Sequence, residues 1–260
     1  MKFTVTTEHL RDAVISSERF IGRHITLPIL SYFLLTVRDR KITLTATNLE
    51  TGIEYTIPGK IERPGVVTTP AKLLSQLLQS LPDDTITLEA KQQHLTLTST
   101  SSDITLHGLN PEDFPTLPTI TREHAFTLPA AHLSAALAQI LPAIASSDLK
   151  PELAGVYLAA NEKTITLAAT DSFRLGERVL QHEAGVAAAV ECIIPGRMAQ
   201  ELARILPNED EVKIEIGERQ VLFAWNGVRV LSRLIDGSYP PYQNLFPKSY
   251  ETTLVVKREE

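Results

Sequence analysis

Apolar and polar residues alternate from Lys2 to Thr6, the period-two pattern of a strand with one buried face. Thr7 and Glu8 then open a stretch in which Leu10, Ala13, Val14 and Ile21 recur at helical spacing, and Gly22 marks its end. After a loop in which Pro28 stops any helix, alternation returns at Tyr32–Val37, Lys41–Ala46 and Gly52–Ile57, with polar turns such as Arg38-Asp39-Arg40 between the strands. The scheme then repeats. Val66–Pro70 reads as a strand, and Pro70 stands where a helix can begin. Leu73, Leu74, Leu77, Leu78 and Leu81 form an apolar stripe opposite Lys72, Gln76 and Gln79, and strands are predicted at Thr85–Glu89, His94–Thr98 and Asp103–Leu109.

The same order starts again after the prolines at 111, 115 and 118. FTLPAAHLSAAL from Phe126 matches FTVTTEHLRDAV from Phe3 at an offset of 123, and ITLAATDSFRL from Ile165 echoes ITLTATNLETG from Ile42 at the same offset. A period that long denotes duplicated domains rather than a solenoid of short repeats. A second leucine-rich helix lies between Pro195 and Pro207, with Met198, Leu202, Ile205 and Leu206 on one side and Arg197, Gln200, Glu201 and Arg204 on the other. Strands at Glu211–Ile216, Gln220–Trp225 and Arg229–Leu234 complete it. The tail TTLVVKREE alternates as the starts of both copies do, so the chain is expected to stop just inside a third copy. The pattern predicts an α+β fold of tandem domains, each with two helices packed on antiparallel sheets. The divisions are residues 1–120, 121–247 and the first strand of a third unit at 248–260.

Composition narrows the function. With 43% hydrophobic and 22% charged residues the chain can bury an ample core. No apolar run approaches the ~20 residues of a membrane helix, and MKFTVTTEHL lacks the apolar centre of a signal peptide. A single cysteine, Cys192, cannot form an internal disulfide, which fits a cytoplasmic location. The net charge of −6 disfavours indiscriminate nucleic-acid binding yet leaves room for a local basic face. Catalytic signatures are missing: there is no phosphate-cradling glycine loop, no HExxH, no paired metal-ligand cysteines and no GxSxG. Asp171 and His182 could be cast as acid and base, but an aspartate after a strand is far more often a turn former. Cys192 and Trp225 read as core, and no cofactor or metal is expected. Lys72, Arg197 and Arg204 on the polar helix faces suit either loose contact with phosphates or plain solvation of those faces.

Seven segments carry a resemblance, in order along the whole chain: GRHITLPIL (Gly22–Leu30), TATNLETGIE (Thr45–Glu54), TTPAKLLSQLLQSLP (Thr68–Pro82), NPEDFPTLP (Asn110–Pro118), AATDSFRL (Ala168–Leu175), IPGRMAQELARIL (Ile194–Leu206) and DGSYPPYQNLFP (Asp236–Pro247). Together the chain resembles the bacterial DNA polymerase III beta subunit family, the sliding clamps. The resemblance implies a non-catalytic processivity factor, an accessory subunit of a DNA-directed DNA polymerase. In that family three similar domains form a subunit, and two subunits close head to tail around duplex DNA. The implied partners are double-stranded DNA without sequence preference and a second copy of the subunit. Others are the polymerase III catalytic subunit, the clamp loader and repair proteins bearing short peptide motifs. Implied DNA-facing residues are Arg23 or His24, Lys72, Lys150 and Arg197. The implied peptide pocket comprises Leu153, Thr170, Ser172, Phe173, Arg174, Leu175, Pro240, Asn244 and Leu245. Phe173 stands where the family often has His or Tyr, and Asn244 where Arg is frequent. The competing expectations are a protein-interaction scaffold that binds no DNA, and a truncated half-clamp that only binds clients. A native two-domain clamp would need three subunits for six domains.

Overall fold

The computed structural model describes residues 1–22, 27–100, 102–147, 149–181, 189–247, 249 and 251–257. β1 (Lys2–Thr6) turns Phe3 and Val5 inward, and the Thr6 hydroxyl accepts the His9 backbone N–H at 3.3 Å to start α1 (Thr7–Ser17). The α-helix ends at Ser17, short of Gly22; a 3-10 turn over Glu18–Phe20 follows and tucks Phe20 into the core. A second 3-10 turn, Pro28–Ser31, occupies the expected loop, with proline in its first turn. β2 (Tyr32–Arg38), β3 (Lys41–Thr47) and β4 (Thr51–Ile57) form an antiparallel meander. β5 (Lys60–Arg63) was not predicted, because it is short and buries none of its residues; it pairs with β1. Then come β6 (Gly65–Pro70), α2 (Ala71–Ser80), β7 (Thr85–Lys91), β8 (His94–Thr98) and β9 (Asp103–His107).

The second copy follows the same plan. It comprises β10 (His124–Pro129), α3 (Ala130–Ile140), β11 (Gly155–Ala160), β12 (Thr164–Thr170) and β13 (Leu175–Gln181). β14 (Val190–Pro195), α4 (Gly196–Ile205), β15 (Glu211–Ile216), β16 (Gln220–Trp225) and β17 (Val228–Arg233) complete it. In both copies the strand that opens each half crosses to the sheet of the other half. β1 joins β7 and β6 joins β2; β10 joins β15 and β14 joins β11. This exchange locks the halves together.

The helices pack in pairs, α1 on α2 and α3 on α4. Equivalent hydrogen bonds hold each pair: Arg11 Nε donates to the Leu78 carbonyl at 2.9 Å, and the Ser134 hydroxyl donates to the Ala203 carbonyl at 3.0 Å. The apolar stripe of α2 is narrower than the leucine pattern implied. Ala71, Leu74, Ser75 and Leu78 are buried, whereas Leu73 is 54% exposed, because 3.6 residues per turn carry it round to the solvent side.

The copies are joined through backbone. β17 runs antiparallel to β4 from Val228↔Tyr55 to Ser232↔Thr51, giving an eight-stranded sheet in the order β10-β15-β16-β17-β4-β3-β2-β6. Arg233 N–H donates to the Glu50 carbonyl and Thr56 N–H to the Gly227 carbonyl, both at 2.9 Å, and Arg229 pairs with Glu54 at 2.5 Å. One apolar cluster, from Phe3 to Val230, spans both copies beneath the helices. The strands occupying the places of β17 and β4 in the opposite copies, β9 and β13, are sheet edges. The tail departs from expectation: residues 251–257 form no strand, and Leu254, Val255 and Val256 are exposed. In both copies the opening strand is held by the strand after the second helix, β1 by β7 and β10 by β15, and the tail has no such neighbour among the described residues. No helix among the described residues is long and apolar enough to cross a membrane.

Candidate functional site

Two regions gather the residues singled out from sequence. The first is the helical face. Lys72 and Arg197 are each the second residue of their helices, α2 and α4, and neither helix has an acidic residue in its first turn. A cation there opposes the helix macrodipole, a local cost of about 0.3–1 kcal/mol that packing does not explain. Both side chains line one depression of about 410 Å³, together with Ile15, Glu18, Arg19, Ile21, Gln79 and Glu201. Arg19 was not visible as a candidate in the sequence. It reaches Glu201 across the two copies at 3.2 Å, and Arg204 approaches the same carboxylate at 3.6 Å. No local spacing signals a contact between residues 182 apart. Lys150 is exposed on a separate segment before a 3-10 turn over Pro151–Ala154, where its carbonyl accepts the Leu153 N–H at 2.9 Å. Arg23 and His24 lie outside the described residues.

The second region is the turn between β12 and β13. Asp171 Oδ1 accepts the backbone N–H groups of Phe173 and Arg174, both at 2.9 Å, and its Oδ2 accepts Arg174 Nε at 2.9 Å. The Thr170 hydroxyl donates to the Arg174 carbonyl and accepts the Ser172 N–H, which holds Ser172 at φ 76°. These bonds, led by the backbone amides of Arg174 and Phe173, draw the Asp171 carboxyl down to about 2. Asp171 is therefore a turn former fixed as an anion. It is no proton donor near neutral pH, and His182 lies outside the described residues.

The turn presents Phe173 to solvent at 95% exposure, while Leu175 drops half-buried against Tyr157, Ala168 and Tyr242. Tyr239 stacks on Tyr157 with ring centroids 5.1 Å apart, and the Tyr242 hydroxyl donates to Glu177 at 2.6 Å. Burial, reinforced by the Glu191 carboxylate, pushes the Tyr157 phenol up to about 12, and burial with Glu177 raises Tyr242 too. Both remain neutral, so the floor is apolar with fixed hydroxyl donors. Thr170 and Leu175 thus meet the Tyr239–Tyr242 connector. Pro240 is half-buried within it, and Asn244 and Leu245 are exposed on the 3-10 turn Tyr242–Leu245. Leu153 is buried at the foot of β11, one element away. The tyrosines were missed from sequence, although the spacing of Tyr239 and Tyr242 around two prolines marks a connector with aromatic anchors.

Other chemistry is scarce. Burial lifts the Cys192 thiol to about 12, leaving an inert small hydrophobe. No group of three or more His, Cys, Asp or Glu among the described residues could hold a metal ion.

Residues 1–118 match the family described as "DNA polymerase III beta subunit, N-terminal domain", and residues 127–241 match "DNA polymerase III beta subunit, central domain". The chain is 31% identical over 270 residues to the beta sliding clamp of Bacillus subtilis (strain 168), covering 100% of this chain and 71% of that protein. To the beta sliding clamp of Staphylococcus aureus (strain N315) it is 33% identical over 270 residues, with the same coverage. Its fold is similar to the crystal structure of the Bacillus subtilis DNA polymerase sliding clamp, with TM-score 0.90, 30% identity, and 96% of this chain and 68% of that chain covered. A sliding clamp from Pseudomonas aeruginosa bound to griselimycin gives TM-score 0.91 at 29% identity, covering 96% and 69%.

Proposed function

Because the chain belongs to the DNA polymerase III beta subunit family, the bacterial sliding clamps, we propose that it holds duplex DNA against its helical face and tethers the replicative polymerase and other clients through the turn after β12. It does no chemistry itself and serves as an accessory subunit of the polymerase. In this reading residues 1–120 and 121–247 are successive clamp units, 248–260 begins a third, and the working form is a ring of copies in the cytoplasm.

The observation that carries the DNA assignment is the placement of Lys72 and Arg197. Two cations stand at equivalent helix starts in the two copies, against the macrodipole, and converge on one depression beside Arg19. Glu18 and Glu201 in the same depression dilute the positive field. Contacts to phosphate are then few and loose, as suits a protein that slides and reads no sequence. Arg23 or His24 and Lys150 extend the same role. The peptide assignment rests on Leu175 and the tyrosine floor, flanked by Leu153, Thr170, Ser172, Phe173, Arg174, Pro240, Asn244 and Leu245. A leucine or phenylalanine buried there yields about 1.5–3 kcal/mol.

The acidic neighbours favour one second reading, a scaffold that binds peptides alone. Salt separates the two. Association with a labelled duplex should weaken steeply between about 50 and 200 mM salt, and Lys72→Glu with Arg197→Glu should remove it while leaving peptide affinity intact. Full duplex association by the double variant at low salt would remove the helical face as the surface that holds DNA, and no association of the parent protein at low salt would leave only the scaffold.

A further inference from the structure

On the outer face of the first copy, away from both regions above, two histidines meet. The Gly108 N–H donates to the Gln93 carbonyl at 2.7 Å, so 93 and 108 form a hydrogen-bonded rung of the β8–β9 ladder. The next rung, His94↔His107, is therefore a non-hydrogen-bonded one, where facing side chains stand closest. Leu95, Leu97 and Leu106 anchor the same strands in the core, and both imidazoles are exposed. Their Nδ1 atoms lie 2.8 Å apart with the rings edge to face at 89°. Burial does not require this pair, and it supports no core packing.

We propose that His94 and His107 form a two-imidazole site for a tetragonal divalent transition ion, Cu²⁺ before Ni²⁺. A metal about 2.0–2.1 Å from each nitrogen would see their 2.8 Å separation at roughly 85°. That angle is close to the 90° between neighbouring ligands of a square or octahedral centre, and well below the ~109° that Zn²⁺ adopts in tetrahedral sites. Binding breaks the hydrogen bond between the two Nδ1 atoms: its proton leaves through water for Nε2 of the same ring, both Nδ1 lone pairs turn to the ion, and water completes the coordination. Neighbouring charges permit this. Lys91 stands opposite His94 on β7, but its ammonium is drawn to Glu89 at 3.3 Å, and Glu89 also holds Arg63 at 2.7 Å. Along β9 the next rungs on this face carry Thr105, whose hydroxyl meets that of Thr96 at 3.1 Å, and then Asp103.

The test is calorimetric titration of the untagged protein with Cu²⁺, Ni²⁺ and Zn²⁺, alongside His94→Ala, His107→Ala and the double variant. His132→Ala serves as a control for an exposed histidine elsewhere. One equivalent of Cu²⁺ should bind at least tenfold more tightly than Zn²⁺. Each single variant should lose tenfold or more in Cu²⁺ affinity, and the double variant should lose the site, with unchanged circular dichroism. Copper binding unaltered in the double variant, or absent from the parent protein, overturns the proposal; equal preference for Zn²⁺ overturns the tetragonal geometry.

Discussion

The turn after β3 and the turn after β12 are built alike and set in different surroundings. Thr47 and Thr170 each donate a hydroxyl hydrogen bond four residues ahead at 2.8 Å, and Asn48 and Asp171 each accept the second and third amides that follow. Leu49 and Ser172 take the same left-handed conformation, φ 77° and 76°. The surroundings differ. In the first copy β17 lies along β4, Asn48 is 7% exposed, and Leu117 packs on Gly52. In the second, β13 has no such neighbour among the described residues, Leu175 stands where Gly52 does, and the tip offers Phe173 and Arg174 to solvent. Local hydrogen bonding thus sets the shape of a turn, and the strand beside it decides whether the turn is a sealed joint or an exposed ledge.

Leu175→Asp should have the largest effect, since it sets a carboxylate against the apolar tyrosine floor. A fluorescein-labelled peptide with adjacent leucine and phenylalanine should lose about 100-fold or more in affinity, roughly 3 kcal/mol, by anisotropy; unchanged affinity would remove this ledge from the proposed function. The mirror experiment is Gly52→Leu. Its Cβ would run into Leu117 Cδ2, and the overpacking should cost about 1–3 kcal/mol in urea unfolding.

Asn48→Ala removes the acceptor of three donors, the Glu50 and Thr51 amides and the Thr51 hydroxyl, inside the joint. A loss of about 1–3 kcal/mol is expected in the same assay, and Asp171→Ala at the exposed ledge should cost less. The smallest effect is one of pH. The folded carboxyl of Asp171, at about 2, lies below its ordinary 3.8, so its stabilisation is complete above the ordinary value and is lost as pH falls through about 2. The amide resonances of Phe173 and Arg174 should move over that range, while those of Glu50 and Thr51, held by an amide that does not titrate, should stay.

Much of this is legible because the repeat is long, with an offset of 123 from Phe3 to Phe126 and of 125 from Pro70 to Pro195. The offset of 123 places His9 on His132 and the two turns on each other, and strands with one buried face show themselves by alternation. β5 escaped because it buries none of its residues and exists only by pairing with β1. Leu73 misled, since a run of leucines does not say which of them the core has room for. Within the candidate sites, Lys72 and Arg197 could be named from their helices. Arg19 and the floor of Tyr157, Tyr239 and Tyr242 could not, because each depends on contacts between distant segments.

The joint between β4 and β17 also bears on inheritance. It is held by main-chain donors and acceptors, which every residue except proline carries, while Ile53 and Val230 face the core on one side and Gly52 and Leu231 are covered on the other. Such a seam tolerates drift at its exposed positions, such as Arg229 and Arg233, so long as Ile53 and Val230 keep their bulk, Gly52 stays small and Asn48 keeps its acceptor. Duplication of a whole unit therefore costs a lineage little in fit, because the buried pattern that sets the register is copied along with each strand.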